Sequence, residues 1–247
     1  MRLNTQLQGF KHSTNILSID IPYQLEQTAK TGISYIDDAF GGKGMTPSVA
    51  TLMTGTAGSG KTTLMLQLAN SLTRQGHACL FNTAEESLFQ IRRTVKRLGL
   101  REGFYAGQDT HVPTILKHCD KIREENPGKQ LFFIVDSLQT LDDGHFNSGR
   151  ITSATSERSL QQITDYCKEN WAIALVIGQV NKAGKFSGTS KLKHMVDAHC
   201  HLSIETDQRS DNFGYRIFEV QKNRFGGAGH GYVLDMSARG LKEFGTL

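Results

Sequence analysis

The residues best suited to chemistry form a stretch, 55–62, that fits the pattern G-x-x-x-x-G-K-[ST] at every fixed position. Glycines let consecutive backbone N–H groups point into one concavity, and a following helix adds the positive end of its dipole. A phosphate chain fits there, with Lys61 reaching the β- and γ-phosphates and the Thr62 hydroxyl ligating Mg²⁺. We therefore predict a nucleotide-binding loop. The predicted phosphate contacts come from Gly55, Thr56, Ala57, Gly58, Ser59, Gly60, Lys61, Thr62 and Thr63.

The residues on either side of this loop support the same interpretation. The apolar run 49–53 is typical of a buried strand, and residues 63–69 are typical of a helix. A strand, a glycine-rich loop and a helix in this order are what a phosphate-binding P-loop requires. The alternative is a glycine-rich turn that fits the pattern by chance.

An acidic residue, Asp136, ends a second apolar run at 131–135. Such continuous runs are typical of central parallel strands that are buried on both faces. Ligands of open α/β sheets bind beyond the carboxyl ends of the strands, so Asp136 should lie near the P-loop. We predict that Asp136 and Thr62 hold Mg²⁺. Gln179 follows another run, 171–177, and is predicted to sense the γ-phosphate.

Two carboxylates, Glu85 and Glu86, follow a predicted strand at 77–83. Hydrolysis of a nucleotide needs a group that orients or deprotonates the attacking water. Glu85 and Glu86 are both candidates for this role, and we prefer Glu85. We expect the strand before it to neighbour the P-loop strand. The structural alternative is that the pair merely caps the helix that starts at Ser87, where the helix dipole favours negative charge.

The order of the elements predicts an α/β fold in one domain. Strands and helices alternate first, and three β-like segments follow at 199–205, 215–222 and 232–236. This order implies a mostly parallel sheet, flanked by helices, with antiparallel strands at its C-terminal edge. Residues 1–28 are polar without clear periodicity, and we predict an N-terminal arm there and an ATPase-like domain at 29–247.

Composition describes an ordinary globular protein of 247 residues, with 38% apolar and 21% charged residues and a net charge of +4. The sequence has no signal-like N-terminus and no apolar run long enough to span a bilayer, which favours a cytoplasmic protein without a membrane partner.

The four cysteines form no C-x-x-C pair, so a thiolate zinc site is not expected. Residues 199–201, His-Cys-His, fit an ordinary strand better than a metal site, because the cysteine points to the opposite face.

The segment after Gln179 is rich in lysine and contains no carboxylate up to residue 194. Lysines for phosphates and an aromatic ring for stacking make a workable site for single-stranded DNA. The predicted DNA-binding residues of this segment are Lys182, Lys185, Phe186, Lys191 and Lys193. A second candidate is the loop 142–150, which contains Arg150 but also two aspartates. Ordinary surface loops are the alternative for both.

These motifs together resemble the RecA-fold ATPases, and within them the RadA family, with the KaiC group next. The resemblance rests on 137–140 (S-L-Q-T), 180–184 (V-N-K-A-G) and above all 222–226 (K-N-R-F-G). It covers residues 30–245. The chain departs from RadA in lacking the four-cysteine zinc finger and the Lon-like domain, and in carrying Gln179 where RadA usually has histidine.

The resemblance implies ATP hydrolysis with Mg²⁺ in a homo-oligomer, a hexameric ring with ATP at its subunit interfaces. It also implies that Lys222 and Arg224 reach the γ-phosphate of the neighbouring subunit. A solvated pair on one strand face is the alternative. The predicted function is a DNA-stimulated ring motor of recombination, repair or replication that translocates on single-stranded DNA and meets other replication or recombination proteins. A KaiC-like regulatory ATPase and a helicase-loading ATPase stay open.

Overall fold

The computed structural model describes residues 15–146, 151–152, 154–179 and 189–247. Within these ranges one nine-stranded sheet carries helices on both faces. The strands are β1 (Ala50–Gly55), β2 (Ala78–Thr83), β3 (Tyr105–Gly107), β4 (Leu131–Asp136), β5 (Ile173–Ile177), β6 (Ala198–Ile204), β7 (Arg216–Asn223), β8 (Gly231–Ser237) and β9 (Gly240–Thr246). The α-helices are α1 (Tyr23–Glu26), α2 (Ser34–Ala39), α3 (Lys61–Arg74), α4 (Leu88–Leu98), α5 (Val112–Glu125), α6 (Thr155–Asn170) and α7 (Thr189–Met195).

The spatial order of the strands is β3-β2-β4-β5-β1-β6-β7-β8-β9. Neighbours run parallel from β3 to β6 and antiparallel from β6 to β9. The predicted mostly parallel sheet with antiparallel C-terminal strands is therefore confirmed. The expectation that β2 neighbours the P-loop strand β1 is wrong, since β4 and β5 lie between them. Chain order does not set spatial order in parallel sheets, because a crossover helix can carry the chain past several positions.

The apolar runs form central strands because both faces of the sheet are covered. Phe132 and Phe133 point to opposite faces of β4, and both are fully buried. Phe132 packs in the same cluster as Leu68 of α3, and Phe133 in the cluster that contains Leu160 of α6. Burying an apolar side chain of this size contributes about 2–3 kcal/mol. These two layers hold the carboxyl ends of β1, β2, β4 and β5 in fixed positions.

Several short elements were not predicted from the sequence, among them β3, β9 and α7. The strand β3 has only three residues, two of them exposed, and β9 buries only its first two residues. Neither has the alternation of a half-buried strand, so the pattern on which the prediction depends is missing. The helix α7 has seven residues and directly follows a glycine- and lysine-rich segment.

Candidate functional site

The P-loop joins β1 to α3, and its backbone requires glycine at two positions. A Cβ atom on Gly55 would lie 2.1 Å from the carbonyl oxygen of Leu202 in the neighbouring strand β6. Gly60, the residue before α3, has a φ of 104° in the left-handed region, and a Cβ there would lie 2.4 Å from the terminal methyl of Met236. The loop is therefore held between β6 and β8, with the N-terminus of a 14-residue helix at its end.

Lys61 folds back over this loop. Its ammonium group donates to the carbonyl oxygens of Gly55 (2.9 Å) and Thr56 (3.0 Å). Burial lowers the pKa of Lys61, while the charges of Asp136 and Glu85 partly oppose this shift. A polyphosphate in the loop would offer this ammonium a stronger, charged acceptor than two carbonyl oxygens.

Asp136 lies at the end of β4 and contacts the first turn of α3. The Thr62 hydroxyl donates to Asp136 Oδ2 at 2.6 Å. Burial raises the pKa of Asp136 to about 6, since the hydrogen bond from Thr62 compensates only part of the lost hydration. A hydroxyl and a carboxylate oxygen in contact are the hard oxygen ligands that Mg²⁺ prefers.

Glu85 is held by donors from two neighbouring strand ends. Gln179 Nε2 donates to both its carboxylate oxygens, at 2.8 Å and 3.0 Å, and the Ser137 hydroxyl donates to one of them. The backbone N–H of Gln179 in turn donates to Gln139 at 3.1 Å. Glu85 lines the same cleft as the P-loop although β2 is three positions from β1, because its side chain extends past the end of β4 to Ser137 and Gln179.

The carboxylates are not needed to cap α4. Ser87 is the N-cap residue and accepts from the backbone N–H of Gln90, whose side chain accepts from Ser87 in return. This capping box already satisfies the first turn of the helix. The structural alternative for Glu85 is therefore weakened. The backbone N–H and carbonyl groups of Glu86 form hydrogen bonds with the side-chain hydroxyl of Thr83.

These groups line one cleft of about 620 Å³. Glu85, Asp136 and Gln179 line it together with residues of the P-loop. Further residues line the cleft or donate a hydrogen bond to one of its side chains, and the sequence analysis did not predict them as site residues. They are Arg97, Ser137, Ile177, Arg216, Met236 and Ser237. Ser137 could have been found, since it follows Asp136 at a strand end. Arg97 and Arg216 could not, because only the folding of α4 and β7 brings them to the cleft.

The two predicted finger residues lie outside the lining of this cleft. Lys222 Nζ donates to the carbonyl oxygens of Val196 (2.7 Å), Lys193 (2.9 Å) and His194 (3.4 Å) at the end of α7. Arg224 forms an ion pair of 3.1 Å with the buried Asp197. Both cations therefore contact the end of α7 or the segment that follows it, and neither lines the nucleotide cleft of its own chain.

The predicted DNA-binding residues fall mostly outside the described ranges, namely Lys182, Lys185, Phe186 and Arg150. Two of them lie on α7. Lys191 forms an ion pair of 2.5 Å with Glu157 of α6, so its charge has a carboxylate partner. Lys193 is half-buried, and its carbonyl group accepts from Lys222.

The His-Cys-His segment lies in β6, and its two imidazoles meet at one hydroxyl. Thr54 Oγ1 lies 2.8 Å from His199 Nε2 and 2.9 Å from His201 Nδ1, while Cys200 points to the opposite face into the core. Burial lowers the pKa of His199 to about 4, so this imidazole is neutral near pH 7.

Within the described ranges, no group of three histidine, cysteine or acidic side chains is arranged to hold a metal ion. All four cysteines are free and buried.

Comparison with known proteins agrees with this geometry. A family model described as "ATPase: KaiC" matches residues 29–110. The DNA repair protein RadA of Aquifex aeolicus is 33% identical over 214 residues, which are 86% of this chain and 45% of that protein. The RadA proteins of Rickettsia conorii and Escherichia coli are 34% and 29% identical over 95% and 97% of this chain, and each match covers 50% of the relative.

The chain is similar to the RadA proteins over most of its length, and its fold is that of the RecA-like ATPases. This RadA-like chain spans about half the length of the curated relatives it matches. Its fold is similar to that of a solved ATPase domain, with a TM-score of 0.74 at 13% identity, covering 88% of this chain and 91% of that one. No helix of the described residues is both long and apolar enough to cross a bilayer.

Proposed function

We propose that this RadA-like chain is a DNA-stimulated ring motor that couples ATP hydrolysis to translocation on single-stranded DNA. The observation that carries the proposal is the bidentate contact of Gln179 with Glu85. Only Val180 separates Gln179 from the lysine-rich segment 181–193 in the sequence, so a change in that segment has a direct covalent route to the proposed base. The printed names of the relatives, DNA repair proteins, support recombination, repair or replication as the setting. A cytoplasmic location and replication or recombination proteins as partners belong to the proposal.

Each residue of the cleft has a role in the proposed reaction. Residues 55–63 hold the phosphates, with Lys61 on the β- and γ-phosphates. Thr62 and Asp136 hold Mg²⁺, which neutralises the charge of the phosphate chain when it is bound. Glu85 orients the attacking water and accepts its proton, and Ser137 and Gln179 hold the carboxylate in place.

Lys222 and Arg224 do not line the cleft of their own chain, and a contact with a neighbouring cleft would replace their present partners, the carbonyl oxygens at the end of α7 and Asp197. We assign to them contact with the γ-phosphate of the adjacent subunit, in a hexameric ring with ATP at its interfaces. A cation supplied in trans stabilises the charge of the transferring phosphoryl group and raises the rate by about 10³–10⁵-fold in related systems.

We also propose that the chain is divided into an arm at 1–28 and the ATPase domain at 29–247. This division is supported by Ala29, which is the first buried residue of the described chain.

The decisive experiment measures ATP hydrolysis with and without single-stranded DNA at two salt concentrations. We expect DNA to raise the rate, and the effect to shrink at high salt because phosphate contacts release counterions. Changing Lys182 and Lys185 to Ala should remove the stimulation, whereas the matched change of the exposed Lys117 and Lys129 should not. Absence of DNA binding at low salt with a nonhydrolysable ATP analogue would contradict the motor function. It would favour a regulatory ATPase that acts through protein partners, in line with the KaiC family match, or a helicase-loading ATPase.

A further inference from the structure

The hydroxyl of Thr54 joins two histidines at the start of the P-loop. Thr54 directly precedes Gly55, and its side chain is buried. Its Oγ1 lies 2.8 Å from His199 Nε2 and 2.9 Å from His201 Nδ1. A hydroxyl carries one proton and two lone pairs, so it can donate to one ring and accept from the N–H group of the other. We call Thr54, His199 and His201 the His–Thr–His cluster. It does not line the nucleotide cleft, and the proposed reaction gives it no role.

The sheet places this cluster beside the phosphate-binding end of β1. Thr54 is paired with His201 in the parallel register of β1 and β6. At the next residue the two backbones are in close contact, since a Cβ on Gly55 would lie 2.1 Å from the carbonyl oxygen of Leu202. The carbonyl oxygen of Gly55 in turn accepts from the ammonium group of Lys61 at 2.9 Å. The cluster therefore fastens to β6 the strand end that carries the P-loop and an acceptor of its lysine.

Cations surround the two imidazoles. The charged groups that act on the rings come from α3, α7 and β7, and they are Lys61, Lys193, Lys222 and Glu219. Burial lowers the pKa of both histidines, and the charges of the lysines lower it further, while Glu219 acts in the opposite direction on His201. Protonation of either ring would therefore add a positive charge to a site that already holds several, so the closed cluster requires neutral rings.

We propose that Thr54, His199 and His201 are positioning residues of the P-loop, and that they hold it in place for phosphate only while both rings are neutral. Protonation directs cations at one buried hydroxyl, and their repulsion separates the end of β1 from β6. The carbonyl group of Gly55 moves with that strand end, and the loop holds phosphates less tightly. This inference rests on the nucleotide binding of the proposed function, but not on DNA or on a ring.

The sign of the pH dependence follows from the lowered pKa of both rings in the closed cluster. Such rings bind protons less readily there than in an open cluster, where the ordinary pKa of about 6.5 applies. The closed cluster is therefore favoured above about pH 6.5 and is lost as the pH falls towards about 4, the pKa of His199. At about pH 5.5, keeping one ring neutral costs about a factor of ten. Nucleotide should thus bind more weakly at about pH 5.5 than at about pH 8.

Substitutions of Thr54 test the role of the hydroxyl. Thr54→Val should raise the dissociation constant of a fluorescent ATP analogue about tenfold at about pH 8, because two ring nitrogens lose their partner. Thr54→Ser keeps the hydroxyl and should recover most of the affinity. The matched control is Thr51→Val on the same strand, since the buried Thr51 hydroxyl has no hydrogen-bond partner among the described residues. Equal losses for Val and Ser at position 54, or an equal loss in the control, would overturn the positioning role.

Amide side chains of matching shape test the role of protonation. The amide nitrogen of Gln lies near the position of Nε2 in His, and that of Asn near Nδ1, so a His199→Gln and His201→Asn double variant keeps polar groups at both contacts without titrating. From about pH 8 to about pH 5.5, the dissociation constant should rise about tenfold more in the parent chain than in the double variant. Asp136 and the phosphates are present in both measurements, so the difference reports the two rings. The control is His230→Gln, an exposed histidine, which should keep the response of the parent chain.

The outcomes separate this inference from the proposed function. An equal pH response in the parent chain and the double variant would overturn the inference while nucleotide binding stands. A parent chain that binds no nucleotide at about pH 8 would contradict the proposed function itself. If the double variant does not fold, the Thr54 series still decides whether the cluster positions the P-loop.

Discussion

Gln179 holds both carboxylate oxygens of Glu85, at 2.8 Å and 3.0 Å, across the ends of β5 and β2. Two hydrogen bonds from one amide fix the orientation of a carboxylate that is otherwise open to solvent. The pair lies in the same cleft as Lys61 and Asp136. Any movement of residue 179 therefore changes the group that we assign as the base.

Replacing Glu85 with Gln should lower the rate of ATP hydrolysis by about 10²–10⁴-fold, since an amide cannot accept the proton of the attacking water. Nucleotide binding, measured by the fluorescence of a labelled ATP analogue, should persist because the P-loop is unchanged. Glu86→Gln is the matched control, and its rate should stay near that of the parent chain. A fully active Glu85→Gln protein would remove the assignment.

Replacing Ser137 with Ala should lower kcat about tenfold with little change of KM. The hydroxyl donates to Glu85 and thus positions the base without contacting the substrate. Ser137→Thr keeps the donor and should recover much of the rate, which distinguishes positioning from a general structural role. Steady-state kinetics over about pH 6–9 measures both variants. Equal losses for Ala and Thr would count against the role.

Replacing Gln179 with Ala should uncouple DNA binding from hydrolysis. We expect the DNA-stimulated rate to fall to the basal rate, because the route from segment 181–193 to Glu85 is cut. Binding of single-stranded DNA, measured by fluorescence anisotropy, should be retained. Gln221→Ala, an exposed glutamine on β7, provides the control. Full stimulation in the Gln179 variant would exclude this route.

Asp136 makes a testable contribution to pH dependence. Burial raises its pKa from the ordinary 3.8 to about 6 in the folded chain. Its contribution to stability is therefore full below about pH 4 and is lost as the pH rises through about 6. Between about pH 4 and pH 7 the free energy of unfolding should fall by on the order of 2 kcal/mol more in the parent chain than in Asp136→Asn. Urea titrations without Mg²⁺ measure this difference.

Magnesium should reverse the sign of that dependence, since the cation binds only the ionised carboxylate. With saturating Mg²⁺ and a nucleotide, the parent chain should be more stable at about pH 7 than at about pH 5. Asp136→Asn should lose the response to Mg²⁺. An Asp136→Asn chain that gains stability from Mg²⁺ as the parent does would show that the ion binds elsewhere.

Mixing two inactive variants tests whether the finger acts between subunits. Lys61→Ala removes the phosphate contact of a chain's own site, and Arg224→Ala removes the proposed finger. Each alone should be nearly inactive. In rings assembled from an equal mixture, about a quarter of the interfaces pair an intact Lys61 with an intact Arg224, so about a quarter of the activity should return. No recovery, with both variants folded and able to associate, would contradict a finger in trans.

Much of this arrangement could be predicted because it depends on local sequence. The P-loop follows from glycine conformations and one lysine, and Asp136 follows from an apolar run that ends in an acid. The apolar runs of β1, β2, β4 and β5 predicted buried strands, and the alternation of β and α predicted a parallel sheet. Exposed short elements such as β3 bury too little apolar surface to leave a pattern.

The sequence by itself determined that the candidate residues for phosphate and metal lie at the ends of buried strands. Only the tertiary structure decided that β2 is three positions from β1, and that Glu85 still lines the same cleft as the P-loop. It also decided that Ser137 and Gln179 hold Glu85, that Arg97 and Arg216 enter the cleft, and that Lys222 binds the end of α7. The physical reason is that these contacts depend on the positions that the crossover helices give to the strands in the sheet. The burial of whole helix and sheet faces sets those positions, and no local sequence pattern does.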